Sequence, residues 1–553
     1  MPGRKRPGVV ERLARTADDV FGWSELRPGQ LTAMEAVMRG RDTLAVMPTG
    51  AGKSAVYQVP GLLLPGPTVV VSPLIALQRD QIAGLLSHAD APDAVAVNSA
   101  QAAGETQAAW DAVRHGDAEF LFLSPEQLAK DEVVERLARA APSLFVVDEA
   151  QCVAAWGHDF RPDYLRLAQA ARRVGRPTIL ALTATAAPPV REEIVERLGL
   201  EDPALVVAGF DRPNIALEVR RFLDDTDKRR VVVERAAAEP KPGIVYTATR
   251  RDAEAYAADL AELGLSAAAY HAGLTAGERS RAHDAFLAGE LDVVVATSAF
   301  GMGIDKEDVR FVLHASVPGS LDAYYQEIGR AGRDGGPAVA VLHYRAEDSG
   351  LQRMFATRAP DEDTLGTVAE HIHERDAPVE PDALAKDTGL TRRRVTAAVN
   401  LLAQAGAVDT EDDGRVRAVA GTTAGEAAAR AAEEAESRRR LEQSRLAMML
   451  GYAETTGCRR RFLLGYFGEP YDDPCGACDM CAARESSKSS KSGDIPFPAG
   501  TRVLHTEWGE GTVMSEEGDR ITVLFESMGY RTLSLAAITG KGLLSAAPPP
   551  AVS

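Results

Sequence analysis

Cysteine is scarce in this chain. Five thiols in 553 residues exclude a disulfide framework, and four of them crowd between Cys458 and Cys481. Long apolar runs are missing too: none approaches the roughly 20 residues of a membrane span. The start, Met1-Pro-Gly-Arg-Lys-Arg6, has charge but no apolar stretch after it, so no secretory leader is expected and the cytoplasm is the expected location. Basic residues are also in deficit, 62 Lys and Arg against 80 Asp and Glu, a formal net charge of −18. That balance argues mildly against a polyanionic partner without deciding the matter, because a phosphate groove needs local rather than global positive potential. Aromatics make up only 6%. What remains, 45% hydrophobic and 26% charged, is an ordinary globular composition with length for about three to five domains.

The most informative stretch is Thr43-Leu-Ala-Val-Met-Pro-Thr49-Gly50-Ala-Gly52-Lys53-Ser54, an apolar strand running into a glycine-rich turn. Such a turn lets backbone N–H groups close on phosphate oxygens at the start of a helix near Lys53. Lys53 would reach the β and γ phosphates, and Ser54 would hold Mg²⁺. The first position of the eight-residue pattern is Met47 instead of glycine, which leaves a turn without ligand as the alternative. A second apolar run, Leu144-Phe-Val-Val147, ends in Asp148-Glu149-Ala-Gln151. Asp148 suits Mg²⁺ and Glu149 suits polarisation of an attacking water. Upstream, Arg27 and Gln30 could stack on and pair with adenine, selecting ATP.

Apolar strands at 68–71, 119–123, 144–147 and 178–181 alternate with helical stretches, the pattern of a parallel α/β sheet whose ligands gather at strand ends. Ser72, Pro73, Ser124 and Thr183 stand at those ends and are candidates for contacts to a nucleic-acid backbone. Between them, Trp156-Gly-His158-Asp-Phe160-Arg161 gathers rings and charge that suit base stacking; the competing reading is a lid packed on its own lobe. A second α/β lobe follows, with strands at 243–246, 267–270, 293–296 and 310–314 and no second phosphate loop. It carries Thr297-Ser-Ala-Phe-Gly-Met-Gly303-Ile-Asp305 and Gln326-Glu-Ile-Gly-Arg330-Ala-Gly-Arg333. Arg330 and Arg333, three apart on one predicted helical face, are candidate arginine fingers for the γ-phosphate.

These motifs resemble those of the RecQ branch of superfamily 2 helicases. Leu26-Arg-Pro-Gly-Gln30, Met47 through Ser54, Ser72 through Leu77, Trp156 through Tyr164, Leu182 through Ala186, Tyr270 through Gly273, Phe300 through Gly303 and Gln326 through Gly335 carry the likeness. The resemblance implies 3′-to-5′ translocation on single-stranded DNA, unwinding of forked duplex in repair or recombination, and work at the nucleoid. It also implies that the aromatic loop couples DNA to hydrolysis, that Thr297 meets DNA, and that Gly303, Asp305 and Gln326 line the nucleotide. The family's phosphate loop lacks the first glycine as well. Gln151 departs from the family's histidine: it keeps a donor and an acceptor but cannot take a proton.

Downstream, residues 382–403 read as helix, glycine turn and second helix, with a wing at 412–417, a winged helix whose Arg392, Arg393 and Arg394 could meet DNA; such domains also bind protein or merely pack. A long helix over 424–453 leads to Cys458, Cys475, Cys478 and Cys481, whose spacing fits a tetrahedral Zn²⁺ site, with an iron–sulfur cluster as alternative. This module also resembles the RecQ zinc module, although here the winged helix precedes the metal. Residues 497–541 predict a small SH3-like barrel. Through Trp508-Gly-Glu-Gly-Thr512 it looks like the Tudor-like tail of UvrD and PcrA helicases, implying a protein partner. The expected organisation is a first RecA-like lobe (1–206), a second (207–355), the winged helix (360–421), the zinc module (424–484), a flexible linker (485–496), the barrel (497–541) and a disordered tail (542–553). A DEAD-box RNA helicase, and a DNA-binding scaffold with a decayed ATPase, are the competing functions.

Overall fold

The computed structural model describes residues 8–88, 91–99, 101–154, 161–301, 304, 306–348, 350, 360–375, 377–411, 414–471, 474–486, 497–498, 501–517, 520–525, 528–535, 537–538 and 542–546. Two helices, Val9–Phe21 and Pro28–Met38, lead into the first lobe. Its strands are β1 (Thr43–Val46), β2 (Thr68–Val71), β3 (Asp93–Val97), β4 (Ala118–Leu123), β5 (Leu144–Val147), β6 (Thr178–Thr183) and β7 (Ala204–Val207). They form one parallel sheet in the order β3-β4-β2-β5-β6-β1-β7. The central strands Thr-Leu-Ala-Val, Thr-Val-Val-Val and Leu-Phe-Val-Val are buried at every position. Helices cover both faces, so apolar runs replace alternation. β3 and β7 are the outer strands, alanine-rich or short, and the sequence reading does not contain them.

The second lobe repeats the plan with β8 (Ile215–Arg221), β9 (Gly243–Tyr246), β10 (Ala267–Tyr270), β11 (Val293–Ala296), β12 (Phe311–His314) and β13 (Ala338–Tyr344), all parallel in the order β10-β11-β9-β12-β13-β8. β8 and β13 go beyond the four strands expected. The helix Leu321–Ile328 ends before Arg330. Arg330 and Arg333 therefore lie in the turns that follow it, not on a helical face.

Three helices, Glu362–His373, Pro381–Thr388 and Arg392–Gln404, with the antiparallel hairpin β14 (Val408–Thr410) and β15 (Val416–Ala418), build the winged-helix unit. Thr391 caps the third helix, and residues 412 and 413 of the wing lie outside the described residues. The helix Ala424–Glu454 opens with a Thr423/Glu426 capping box. Its first half sends Ala427 and Ala431 into the winged-helix core, and its last turns send Met448, Met449 and Tyr452 into the core of the second lobe. One rod of about 46 Å thus joins the two units.

The C-terminal sheet is antiparallel, β16 (Arg502–His505), β17 (Gly509–Glu517), β18 (Arg520–Phe525), β19 (Gly529–Ser534) and β20 (Leu544–Ala546), in the order β19-β18-β17-β16-β20. β20 pairs with β16, so Leu544–Ala546 belongs to this unit and not to a disordered tail. Trp508 stacks on His505 at 4.1 Å over a core of Val503, Val513, Val523 and Phe525. This unit is docked on the rest of the chain. The Tyr530 amide donates to Ser444 Oγ at 2.6 Å, its ring lies 5.2 Å from that of Tyr466, and the Tyr466 hydroxyl donates to Asp322 of the second lobe.

Tyr530 is buried against the second lobe's core and not within the barrel's own. Truncating a buried aromatic costs about 3–5 kcal/mol, so Tyr530→Ala should undock the sheet without unfolding it. After trypsin cleavage at Lys488 or Lys491, the two parent fragments should elute together on size exclusion and those of Tyr530→Ala apart. Joint elution of the variant's fragments would place the docking energy elsewhere.

Candidate nucleotide site and metal centre

β1 lies between β6 and β7, and the turn after it begins the candidate site. Gly50 and Gly52 have φ of 80° and 71°, conformations that glycine adopts without steric cost. A Cβ on Gly52 would lie 2.6 Å from the Gln30 amide nitrogen, and one on Gly50 3.3 Å from Arg333 Cγ. Ser54 precedes the helix Ala55–Gly61, two residues later than the start expected near Lys53. Gln30 uses its amide on the loop: Oε1 accepts from the Arg27 amide at 2.9 Å, and Nε2 donates to the Ala51 and Gly52 carbonyls at 3.0 Å each. Arg27 Nη1 donates to the Gly50 carbonyl at 2.8 Å. Both residues brace the phosphate loop, and the adenine pairing expected of Gln30 would require both amide protons back from the loop.

At the end of β5, Asp148 Oδ2 accepts from Gln81 Nε2 at 3.0 Å and Oδ1 from the Glu149 amide at 2.9 Å. Burial, with Glu149 alongside, pushes its carboxyl up to about 6, while Lys53 and Gln81 pull it down. Glu149 is held in the left-handed region at φ 49°, and its Oε2 accepts from Gln151 Nε2 at 2.8 Å. Gln151 Oε1 in turn accepts from the Thr183 hydroxyl at 2.6 Å. A chain Thr183–Gln151–Glu149 fixes the carboxylate, and glutamine does this with one donor and one acceptor. Gln81 has no motif around it that sequence reasoning could have used.

The second lobe closes the cleft, about 780 Å³ and lined by residues of both lobes. Of the two candidate fingers only Arg333 reaches the phosphate loop, packing over Gly50. Arg330 is buried within its own lobe, its charge near the Tyr246 hydroxyl and its guanidinium close to Gly301, so the expected pair is split. Gln326 lies on the helix Leu321–Ile328. Arg212 and Asn214, which the sequence reading missed, bind the carbonyls of residues 329, 331, 332 and 336. The only signal would have been their place between the lobes.

The strand-end candidates for nucleic acid fare differently. Ser72, Pro73, Ser124 and Thr183 are buried, and the Thr183 hydroxyl is engaged with Gln151 and Thr185. Their side chains do not line an exposed groove in this structure, and the Ser72 hydroxyl is buried without a partner among the described residues. Thr297 is half-buried at the end of β11. Arg161 donates to the Pro73 carbonyl at 3.0 Å. Trp156, His158, Phe160, Gly303 and Asp305 lie outside the described residues. In the winged helix, Arg392 pairs with Asp382, and Arg394 with Asp361, both at 2.9 Å; Arg393 is exposed.

The four thiols of Cys458, Cys475, Cys478 and Cys481 lie within 4.8 Å of one another, with Cys475 and Cys481 sulfurs 3.9 Å apart. A zinc tetrahedron with bonds of about 2.3 Å has edges of about 3.8 Å. Hydrogen bonding from Cys478 holds the Cys458 thiol down, to about 4, and the same contact pushes Cys478 up. A cluster that already favours a thiolate fits Zn²⁺. Cys152, the fifth thiol, is buried in the first lobe. Arg459 binds Asp479 in a fork, Nε at 2.6 Å and Nη2 at 2.9 Å, and Arg460 binds Asp211 at 2.7 Å. These arginines are structural and do not form a basic groove. The module continues the edge of the second lobe, the Leu217 amide donating to the Ala477 carbonyl beside a bridge between Leu217 and Cys478.

Family models match four stretches of the chain. A DEAD/DEAH box helicase domain matches 27–194, a helicase conserved C-terminal domain 227–335, a RecQ zinc-binding domain 416–482, and a protein family of unknown function (DUF3553) 500–540. The chain is 34% identical over 508 residues to a probable ATP-dependent DNA helicase RecS of Bacillus subtilis, covering 90% of this chain and 98% of that one. It is 34% identical to an ATP-dependent DNA helicase RecQ of Pasteurella multocida over 85% of this chain and 62% of the relative. In fold it is similar to Mycobacterium smegmatis helicase Lhr bound to single-stranded DNA and AMP-PNP (TM-score 0.50, 20% identity, 91% of this chain and 68% of that one). It is also similar to the DUF1998 helicase MrfA bound to DNA (TM-score 0.52, 16% identity, 77% and 64%). No described helix is long and apolar enough to cross a membrane.

Two outcomes follow from this geometry. Thr183→Val leaves buried Gln151 Oε1 without its donor and should lower unfolding free energy by about 1–3 kcal/mol, read by urea titration. Cys478→Ser should lose about one zinc per chain by metal analysis and lower the thermal midpoint; retention of the metal would count against the four-thiol assignment.

Proposed function

The chain belongs to the RecQ family of ATP-dependent DNA helicases, and from that membership we propose that it couples ATP hydrolysis to 3′-to-5′ movement on single-stranded DNA and to the opening of forked duplexes. Repair and recombination at the nucleoid, in the cytoplasm, are the processes such a motor serves. The observation that carries the proposal is Arg333 of one lobe packed over Gly50 in the phosphate loop of the other. A nucleotide between them touches both lobes, and its loss of the γ-phosphate releases one.

In this reading Thr49, Gly50, Gly52 and Lys53 cradle the phosphates, with Arg27 and Gln30 holding the loop in shape. Ser54 and Asp148 are the residues that would hold Mg²⁺, which when bound neutralises phosphate charge. Glu149, oriented by Gln151, takes the proton of the attacking water, and Arg333 meets the charge that develops on the γ-phosphate. Arg330 is buried inside its own lobe at the arginine turn, and Gln326, on the preceding helix, would approach the nucleotide on closure. Zn²⁺ on the four thiols is structural. DNA would be gripped by the aromatic segment around Trp156, His158, Phe160 and Arg161, by Thr297, and by Arg393 at the front of the winged helix. A protein partner would meet the barrel on strands turned away from Tyr530, whose side is occupied by the chain itself.

The decayed-scaffold alternative has little support here, since Lys53, Glu149 and Arg333 are in place and Gln151 satisfies its neighbours. ATP turnover with and without single-stranded DNA tests the motor directly: stimulation by DNA above that by RNA is expected, and no stimulation would sink the proposal. Lys53→Ala should abolish turnover while keeping most DNA affinity, measured by fluorescence anisotropy, and should abolish unwinding of a forked duplex.

A further inference from the structure

The segment between the lobes is clamped by its neighbours. Phe210 stacks on Phe467 at 4.5 Å with rings 10° apart, its amide donates to Glu469, and its carbonyl accepts from the Tyr325 hydroxyl at 2.7 Å. Asp211 accepts from Arg460. The next side chain, Arg212, turns from this clamp into the nucleotide cleft. Its Nη1 donates to the Thr49 carbonyl in the phosphate loop and to the Gly329 carbonyl in the second lobe, both at 3.2 Å. Its Nη2 donates to the Ala331 and Gly332 carbonyls at 2.9 and 3.0 Å. One planar guanidinium therefore bridges the first turn of the phosphate loop and the turn that carries Arg333, and all four of these acceptors are backbone carbonyls.

We infer that Arg212 is a positioning residue for hydrolysis: it holds the arginine turn, 329–333, at the distance from the phosphate loop at which Arg333 meets the γ-phosphate. The inference rests on the arginine-finger reading of Arg333 given above. A fork of fixed geometry is needed because the four acceptors belong to two lobes and are divided between Nη1 and Nη2. A lysine ammonium is a point charge on a flexible stem and cannot span them in the same plane. Asn214 Nδ2 independently holds the Gly332 and Gly336 carbonyls at 2.8 and 2.9 Å, so without Arg212 the turn keeps its fold and loses its tether to the loop. The defect then appears in the chemical step, where about 1 Å of misplacement can cost about 100-fold, and not in holding a nucleotide that lacks the γ-phosphate.

The test is steady-state ATP hydrolysis at saturating single-stranded DNA for the parent, Arg212→Lys, Arg212→Gln, Arg333→Ala and the Arg212→Gln/Arg333→Ala double variant, together with equilibrium binding of ADP. Both Arg212 variants should lower kcat by about 10- to 100-fold and shift ADP affinity by less than about threefold. The double variant should fall within about threefold of Arg333→Ala alone, since both changes act through one group. A kcat within about threefold of the parent in Arg212→Lys, losses that multiply in the double variant, or ADP affinity falling in step with kcat would overturn the inference and leave Arg333 as the finger. If Arg333→Ala itself keeps the parent's kcat, the finger reading fails and takes the inference with it. Should Arg212→Gln not fold, Arg212→Lys, which keeps the charge, carries the test alone.

Discussion

A phosphate loop must leave its N–H groups free for an anion, and its carbonyls then need donors from elsewhere. Here the carbonyls of Thr49, Gly50, Ala51 and Gly52 each receive a side-chain donor: Arg212, Arg27, and Gln30 twice. Each such bond contributes modestly, and the one to the buried Ala51 carbonyl matters most, since a buried carbonyl left without a partner costs about 1–3 kcal/mol. The loop is therefore held in its anion-binding shape by an N-terminal turn and by a residue beyond the first lobe. The requirement that fixes a small ligand pocket also ties together segments more than 150 residues apart, and the second lobe is docked through the same network.

That network continues outward. Asp211, next to Arg212, accepts from Arg460, which follows Cys458 of the four-thiol cluster by two residues. Asp479, next to Cys478, accepts from Arg459 and from the Val219 amide on the edge of the second sheet. Buried arginine–carboxylate forks repay their desolvation only with good geometry and full satisfaction of the remaining protons. Arg459 also donates to the Tyr452 carbonyl at 2.8 Å; Arg460 donates to the Ile215 carbonyl at 2.6 Å but leaves its buried Nε without a partner among the described residues. The metal module is thus built onto the lobe as a continuation of its sheet edge, and through Tyr466 and Tyr530 the C-terminal sheet is fastened to the same block.

Sequence made the lobes, the phosphate loop, the carboxylate pair and the four-thiol cluster legible because each is local. An apolar run followed by glycines, or four thiols within 24 positions, carries its chemistry in adjacent residues. What it concealed is what side chains do across distance. Ser72 and Thr183 stand at strand ends in the sequence and inside the lobe in space. Gln30 has the donors and acceptors for adenine and uses them on the loop. Arg330 and Arg333 look equivalent at spacing three, yet the helix stops at Ile328 and the turns after it send one inward and one across the cleft. The edge strand β3, Asp-Ala-Val-Ala-Val, escaped because its alanines dilute the apolar run, whereas β7, Ala-Leu-Val-Val, is as long and as apolar as β1 and was legible in the sequence.

The acidic balance of the chain acquires a different meaning in this light. Arg212, Arg330, Arg459 and Arg460 are all wholly or partly buried, and three of the four serve as forks for backbone carbonyls or single carboxylates. Arg392 and Arg394, which the sequence offers as a basic front, are paired with Asp382 and Asp361. At these sites arginine acts as internal mortar, because a planar group with five donors can satisfy several carbonyls that a folded loop exposes at once. A strand bound beside the cleft, as proposed above, would meet contacts that lobe closure makes and breaks, so its grip would be coupled to the nucleotide.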